Sequence, residues 1–210
     1  MRRKLVLSLV LTSLLLFILT IFWQQEIKYL TPTPIPPGYS RVALRQAIDL
    51  TELGENNQKK PVLLHFFNPN CPCSRFNTDH FVSLVKEYGN EVSFYVVLQY
   101  SNDREAVAQM LATYGIELPV LTDEHQALAQ ICGVYSSPQA VIVDSNQQLF
   151  YRGNYNRSRY CTDRQTSYAR LALEALRART APPTPSALAT TAYGCALKDN
   201  GPSFLNLLNF

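Results

Sequence analysis

Two cysteines stand two residues apart in the stretch Asn70-Cys71-Pro72-Cys73-Ser74. Thiols at such close spacing serve as a redox centre, as metal ligands or as a structural disulfide. The usual redox spacing is Cys-x-x-Cys, which would place the second cysteine at position 74, where this chain has a serine. The function of the stretch therefore depends on which group pairs with Cys71.

Cys71 is predicted to lie at the first turn of a helix. It follows the apolar run Pro61–Asn68, which is typical of a buried strand, and precedes a helical pattern that ends at Gly89. Unpaired backbone N–H groups and the helix dipole at that end stabilise a thiolate and lower the thiol pKa. Pro72 suits the first helical position because it lacks an N–H group. Cys71 is therefore the predicted nucleophile, and a buried structural cysteine is the alternative.

Three interpretations of Cys73 stay open. Side chains two residues apart on a helix point about 200° away from each other, so a disulfide with Cys71 would need a distorted first turn. Cys73 is thus a strained, oxidising partner of Cys71, a second metal ligand beside Cys71, or a residue on the inner side of the helix. In the last case another cysteine resolves Cys71.

The N-terminal run predicts a membrane anchor. Arg2, Arg3 and Lys4 precede 19 uncharged residues from Leu5 to Trp23, which span about 28 Å as a helix. No small-x-small cleavage site follows, so we favour an uncleaved signal anchor over a cleaved signal peptide. The positive-inside rule leaves Met1 in the cytoplasm and exports the rest of the chain. We expect a single-pass protein of the inner (cell) membrane with a periplasmic or extracytoplasmic domain, in a compartment where disulfides persist.

The charge balance argues against a nucleic-acid partner. The net charge of +3 equals the contribution of the three N-terminal basic residues, and the remainder carries 16 basic and 16 acidic residues. Nucleic-acid binding needs a clustered basic surface.

Helix and strand patterns alternate along the exported part. The expected order is α-β-α-β-α-β-α-β-β-α, beginning with a helix from Ser40 to Gly54 and closing with a hairpin that turns at Ser145-Asn146 and a last helix. Such alternation predicts an α/β fold with a mixed sheet and helices on both faces. The expected divisions are a transmembrane helix (1–25), a Pro-rich linker (26–39), the folded domain (40–180) and a tail containing Cys195 (181–210).

Three features in this order resemble the thioredoxin-like superfamily and its membrane-anchored redoxin branch. They are "VLLHFFNPNCPCS", then "GVYSSPQAVIVD", and then the hairpin "QQLFYRG" with a last amphipathic helix. The segments "YRGNYNRSRYC" and "TTAYGCALK" resemble an uncharacterised proteobacterial and planctomycete subset with a Gly-Cys tail. The resemblance covers about residues 40–180 and implies a thioredoxin-like fold with its active site at Cys71.

The resemblance also implies roles for two further residues. His65 lies on the strand before Cys71, at the buried position where thioredoxins have an acidic proton acceptor, and a neutral imidazole can take a thiol proton. A core histidine is the alternative. Pro138 is similar to the family's cis-proline, beside which the backbone can pair with an extended substrate. A trans turn proline is the alternative.

The remaining cysteines are Cys132, Cys161 and Cys195, so the total of five is odd. Cys132 continues an apolar helix pattern and is expected in the core. We favour a structural disulfide between Cys161 and Cys195 that clamps the tail across the domain. In the alternative, Cys195 reaches Cys71 or Cys73 as a resolving thiol.

The leading hypothesis is a membrane-anchored extracytoplasmic thiol–disulfide oxidoreductase. Cys71 would be its nucleophile, resolved by Cys73 or by Cys195, and no cofactor is expected. Its partners would be exported thiol or disulfide proteins and a redox donor. The alternatives are a copper(I) chaperone that uses Cys71 and Cys73 as soft ligands, a peroxidase, and a binding module without redox turnover.

Overall fold

The computed structural model describes residues 2–26, 30–53, 60–181 and 186–197. The chain forms two compact units, residues 1–32 and 33–210. The first contains α1 (Arg2–Gln25), which is long and apolar enough to cross a membrane, a test that a signal sequence also passes. Leucine, valine, isoleucine and phenylalanine side chains cover it on all sides and are exposed.

A five-stranded mixed sheet forms the centre of the second unit. Its strands are β1 (Val62–Phe67), β2 (Ser93–Leu98), β3 (Val120–Thr122), β5 (Gln139–Val143) and β6 (Leu149–Gly153), and β4 (Ser136–Ser137) lies outside it. The strand order is β3-β2-β1-β5-β6. Strands β1, β2 and β3 are parallel, whereas β5 and β6 form an antiparallel hairpin. The turn of this hairpin forms at Asp144, whose carboxylate accepts hydrogen bonds from the backbone N–H groups of Asn146 and Gln148.

Helices cover both faces of the sheet, because the buried strands present apolar side chains alternately to each side. The helices are α2 (Pro72–Tyr88), α3 (Arg104–Thr113), α4 (Ala127–Cys132), α5 (Tyr168–Arg177) and the short α6 (Ala187–Thr190). Leu63 and Phe67 of β1 pack with residues of α2, α3 and α5. Leu64 and Phe66 pack on the opposite face, where Cys132 is fully buried as expected. This is the predicted thioredoxin-like α/β fold.

The segment before β1 is not the predicted helix. After a turn at Arg45, which has φ +67°, residues 46–48 run beside the β6 edge, with backbone hydrogen bonds from Arg45 to Leu149 and from Leu149 to Gln46. Ile48 and Leu50 are buried while Asp49 between them is exposed, which is the two-residue alternation of a strand. The segment is not helical because the free edge of β6 offers hydrogen-bond partners to its backbone. The helical spacing of its apolar residues gave no indication of these partners.

Candidate functional site

Cys71 lies where β1 ends and α2 begins. Its backbone N–H donates to the Asn68 carbonyl at 3.0 Å, which closes a tight turn, and Pro72 is the first residue of the helix. Ser74 occupies the position of the second cysteine in the usual spacing. Its buried hydroxyl accepts a hydrogen bond from Asn68 N at 3.3 Å, so it ties the strand end to the helix start. The cysteine is therefore held at the positive end of the α2 dipole.

The sulfur of Cys71 is bonded to that of Cys195, 124 residues away. The S–S distance is 2.12 Å, the Cα atoms are 6.0 Å apart and the torsion about the bond is 85°. Cys71 is buried and Cys195 is half-buried.

The tail brings Cys195 to this place as a strand. β7 (Cys195–Ala196) pairs antiparallel with β4, so that Cys195 lies opposite Ser137. The Ser137–Pro138 peptide is cis, as predicted, and the Ser137 carbonyl oxygen lies 3.7 Å from Cys71 Sγ. The cis-proline segment, the disulfide and the tail strand thus meet at one point.

Gly194 permits this close approach. Its φ is +138°, and a Cβ on it would overlap the Ser137 carbonyl oxygen. Only glycine fits both the conformation and the space. The Gly-Cys pair was visible in the sequence. That its glycine is required by the close contact with Ser137 follows only from the structure.

Further contacts hold the tail independently of the disulfide. The amide of Asn154 donates to the carbonyls of Leu188 and Thr191 at 2.8 and 2.6 Å. Thr33 donates from its backbone to Ala192 O at 2.8 Å and from its hydroxyl to Gly194 O at 3.2 Å. The tail therefore contacts the domain through hydrogen bonds to its backbone as well as through the disulfide.

The expected clamp between Cys161 and Cys195 is not present. Pairing of β7 with β4 carries Cys195 to Cys71, while Cys161 lies against α2, with its sulfur 3.0 Å from Asn77 Oδ1. The backbone ladder determines the partner of Cys195, and nothing in the sequence spacing revealed it. Cys161 remains a thiol.

Of the three interpretations of Cys73, the structure has the one that places it on the inner side of the helix. It lies on the inner side of α2, is 3% exposed and remains a thiol, while Cys71 is bonded elsewhere. No disulfide joins Cys71 to Cys73. The first turn of α2 consequently keeps its helical geometry, with Arg75 N donating to Cys71 O at 3.2 Å.

His65 is enclosed on the α2 side of β1. Its ring stacks on Phe81 with centroids 4.1 Å apart, and its Nδ1 lies 2.8 Å from the Tyr155 hydroxyl. Burial lowers the pKa of His65 to about 3, so the ring is neutral at physiological pH. Tyr155 was not expected from the sequence, since no local pattern links it to a histidine 90 residues earlier.

The described residues contain no cluster of potential metal ligands. Within residues 2–26, 30–53, 60–181 and 186–197, no group of three or more His, Cys, Asp or Glu side chains could hold a metal ion. Cys71 and Cys73, the expected alternative metal ligands, differ in state, because Cys71 is in the disulfide.

The chain is similar in structure to several solved proteins. A hypothetical protein of Sinorhizobium meliloti 1021 is 18% identical, with a TM-score of 0.63 over 78% of this chain and 98% of that one. An uncharacterized conserved protein of Geobacillus kaustophilus is 21% identical, with a TM-score of 0.61 over 81% of this chain and all of that one. These likenesses show the shared fold.

A thioredoxin family thiol:disulfide interchange protein of Chlorobium tepidum TLS is 18% identical, covers 65% of this chain and 99% of its own, and has a TM-score of 0.46. No curated protein matches the chain. One family model matches residues 41–197, a range that includes β1, α2, the cis-proline segment and both cysteines of the disulfide. The chain therefore belongs to the family described as "Domain of unknown function (DUF6436)".

Proposed function

We propose that the chain is a membrane-anchored extracytoplasmic thiol–disulfide oxidoreductase in which Cys71 exchanges with partner proteins and Cys195 resolves it. The observation that carries the proposal is the disulfide between these residues beside the cis-Pro138 segment. A structural clamp would need only a fixed bond. This bond instead joins a cysteine at a helix N-terminus, where a leaving thiolate is stabilised, to a half-buried cysteine on a terminal strand.

The exchange balances without a cofactor. In the reduced chain the Cys71 thiolate attacks one sulfur of a partner disulfide, and the other partner sulfur leaves with the electron pair and takes a proton. Cys195 then loses its proton to solvent and attacks Cys71 Sγ, which forms the Cys71–Cys195 bond and releases the second partner thiol. The reverse sequence oxidises a partner dithiol, and an external thiol donor or disulfide acceptor resets the chain.

The tail strand occupies the position that strand addition would give to a partner. β7 hydrogen-bonds to β4 immediately before cis-Pro138, and an extended peptide with a cysteine opposite Ser137 would reach Cys71 in the same way. Breaking the disulfide frees Cys195 and loosens this pairing. The partner class is accordingly an extended, cysteine-containing segment of an exported protein, and Pro138 would orient it.

The neighbours of Cys71 differ in their roles in this proposal. Cys73, on the inner face of α2, takes no part in the exchange between Cys71 and Cys195. His65, held neutral by burial and fixed by Tyr155, would accept a proton only transiently, because burial opposes its charged form.

The same proposal covers membrane placement and organisation. α1 would be an uncleaved signal anchor with Met1 in the cytoplasm, residues 26–39 a linker, residues 40–180 the redox domain and residues 181–210 its tail. The domain would face the periplasm and belong to the membrane-anchored redoxin branch with the Cys-Pro-Cys motif and Gly-Cys tail. The length and composition of α1 and the positive charge before it support this arrangement.

A trapping experiment tests the roles of the two cysteines. Cys195→Ser removes the resolving thiol, so mixed disulfides between Cys71 and exported proteins should accumulate on the full chain and disappear on reduction. Cys73→Ser is the matched control and should show few adducts, and Cys71→Ala combined with Cys195→Ser should show none.

Two outcomes would overturn the assignment. Adducts on Cys73→Ser but not on Cys195→Ser would transfer the resolving role to Cys73. Adducts on neither variant would refute the oxidoreductase. Stoichiometric copper(I) binding by the reduced chain, lost in both Cys71→Ala and Cys73→Ser, would then favour the chaperone.

A further inference from the structure

A second pair of cysteines lies on the buried side of α2. Cys73 and Asn77 are four residues apart on this helix, so they share one face, and they are 3% and 1% exposed. The thiol of Cys161 donates to Asn77 Oδ1 at 3.0 Å. Cys161 therefore lies over the part of α2 that presents Cys73, although 88 positions separate them in sequence.

The loop that carries Cys161 is fixed against α2 by aromatic contacts. The rings of Phe76 and Tyr160 are 4.9 Å apart, and the Arg159 guanidinium lies 5.2 Å from the Phe76 ring centroid. Cys161 itself has φ +54°, a left-handed conformation that is unfavourable for a non-glycine residue. The packing of its neighbours maintains this conformation and keeps the thiol directed at α2.

The environment of Cys161 favours its protonated form. Burial and, to a smaller extent, the nearby Cys73 thiol raise the pKa of Cys161 to about 12. Asn77 can serve both states of the thiol. Its Oδ1 accepts from the thiol, whereas its buried Nδ2 has no hydrogen-bond partner among the described residues. Rotation of the amide by half a turn would present Nδ2 as a donor to a thiolate.

We propose that Cys73 and Cys161 form a second redox couple that exchanges two electrons with the Cys71–Cys195 disulfide inside the same chain. This goes beyond the proposed function and rests on it only in requiring that the Cys71–Cys195 bond be exchangeable. The outer pair would meet the partner protein, and the inner pair would store the oxidising equivalents.

The exchange has two steps. The Cys73 thiolate attacks Cys71 Sγ, the Cys71–Cys73 bond forms, and Cys195 leaves and takes a proton from solvent. Cys161 then loses its proton to solvent and attacks Cys73 Sγ, the Cys73–Cys161 bond forms, and Cys71 leaves as a thiolate at the helix N-terminus. Two electrons pass from the inner thiols to the outer disulfide. Cys73 and Cys161 release one proton each, Cys195 takes up one, and the other stays in solvent because Cys71 remains a thiolate. No external oxidant is consumed.

The first step lies within reach of the backbone. Residues two apart at the start of a helix have Cα atoms roughly 5.4 Å apart from helix dimensions, inside the range of roughly 4.4–6.8 Å for disulfides. Their side chains diverge, so the Cys71–Cys73 bond is a transient, strained intermediate that the second step relieves. Pro72 between them donates no backbone hydrogen bond that the distortion would break.

Thiol mapping of the full chain in detergent tests the couple. The fully reduced protein is equilibrated anaerobically in glutathione buffers of increasing oxidised fraction, quenched in acid, alkylated and mapped by mass spectrometry. We expect four thiols to be lost in two pairs, with a Cys73–Cys161 peptide identified. Cys132 is the internal control, because it is fully buried, its pKa is also raised to about 12, and it should stay alkylatable throughout.

Variants distinguish this couple from the proposed function. Cys161→Ser should lose only two thiols, whereas Cys132→Ser should still lose four. The mixed disulfides trapped by Cys195→Ser depend on Cys71. They should persist and accumulate further when Cys161→Ser is added, because Cys73 can then no longer clear them by passing on to Cys161. Failure of the couple and failure of the oxidoreductase are therefore separate results.

Exchange within one chain is tested with protein that carries only the Cys71–Cys195 bond. After removal of oxidant, the Cys73–Cys161 peptide should appear as the Cys71–Cys195 peptide declines, at a rate independent of protein concentration. The inference is overturned if Cys73 and Cys161 stay alkylatable at every glutathione ratio, as Cys132 does. It is equally overturned if they pair only when glutathione disulfide is added.

Discussion

The Cys71–Cys195 disulfide should stabilise the fold by an amount that its position in the chain sets. It closes a loop of 124 residues. In the chain-entropy model, a loop of that length removes unfolded-state freedom equivalent to about 4.9 kcal/mol at 25 °C. The hydrogen bonds that Asn154 and Thr33 make to the tail do not involve this bond, so its loss should lower the free energy of unfolding without unfolding the domain.

The measurement is a double-mutant cycle on the full chain in detergent. Cys71→Ser, Cys195→Ser and the double variant are unfolded in urea and followed by the near-ultraviolet circular dichroism of the tyrosines. Each single variant should lose up to about 4.9 kcal/mol. This corresponds to a fall of about 2.5 M in the urea midpoint when the slope is about 2 kcal/mol per molar. The double variant should lose no more than either single variant, because one bond is removed in all three.

A reducing agent provides the control. In dithiothreitol the wild-type chain has no disulfide, so the differences between it and the variants should vanish. Unchanged midpoints for both single variants under oxidising conditions would refute the reasoning, as would losses that add in the double variant. Differences that persist in dithiothreitol would show that the serine substitutions act through packing rather than through the bond.

Two further predictions concern histidine burial and the tail strand. Burial lowers the pKa of His65 to about 3, and burial together with the charge of Arg170 lowers that of His80 to about 4. The unfolded chain therefore binds protons first, so stability is complete above pH 6.5 and falls with pH below it, by up to about 1.4 kcal/mol per pH unit for each histidine. Urea unfolding between pH 4.5 and 7.5 should show this dependence of the free energy of unfolding on pH. His65→Gln should roughly halve the slope. An unchanged slope in that variant would contradict the burial of His65 in neutral form. Gly194→Ala places a Cβ against the Ser137 carbonyl in a strained backbone conformation, at a cost of about 1–3 kcal/mol. The equilibrium constant for formation of the Cys71–Cys195 bond in glutathione buffer should fall roughly 5- to 150-fold. The control is Gly38→Ala, at φ +78° with open space around it, which should leave this constant unchanged. Equal effects of the two substitutions would contradict the role of Gly194.

Local features of the sequence determined the strand and the helix that position Cys71. The apolar run of β1, the helical pattern of α2 and Pro72 at its first position together predicted Cys71 at a helix N-terminus, and the structure has it there. These features depend on side-chain period and on the chemistry of neighbouring residues, which a short window of sequence contains. The fold class followed from the same periodicities in their order along the chain.

Long-range pairing decided the rest. The non-helical path of the segment before β1 arises from hydrogen bonds to the β6 edge, which the helical spacing of its apolar residues did not reveal. The bond of Cys195 with Cys71 rather than with Cys161 arises from the β4–β7 ladder, which sets their Cα atoms 6.0 Å apart. A disulfide forms only where the folded backbone brings two cysteines within a few ångströms. The sequence by itself therefore determined which cysteine lies at the helix N-terminus, and the tertiary structure alone decided its disulfide partner.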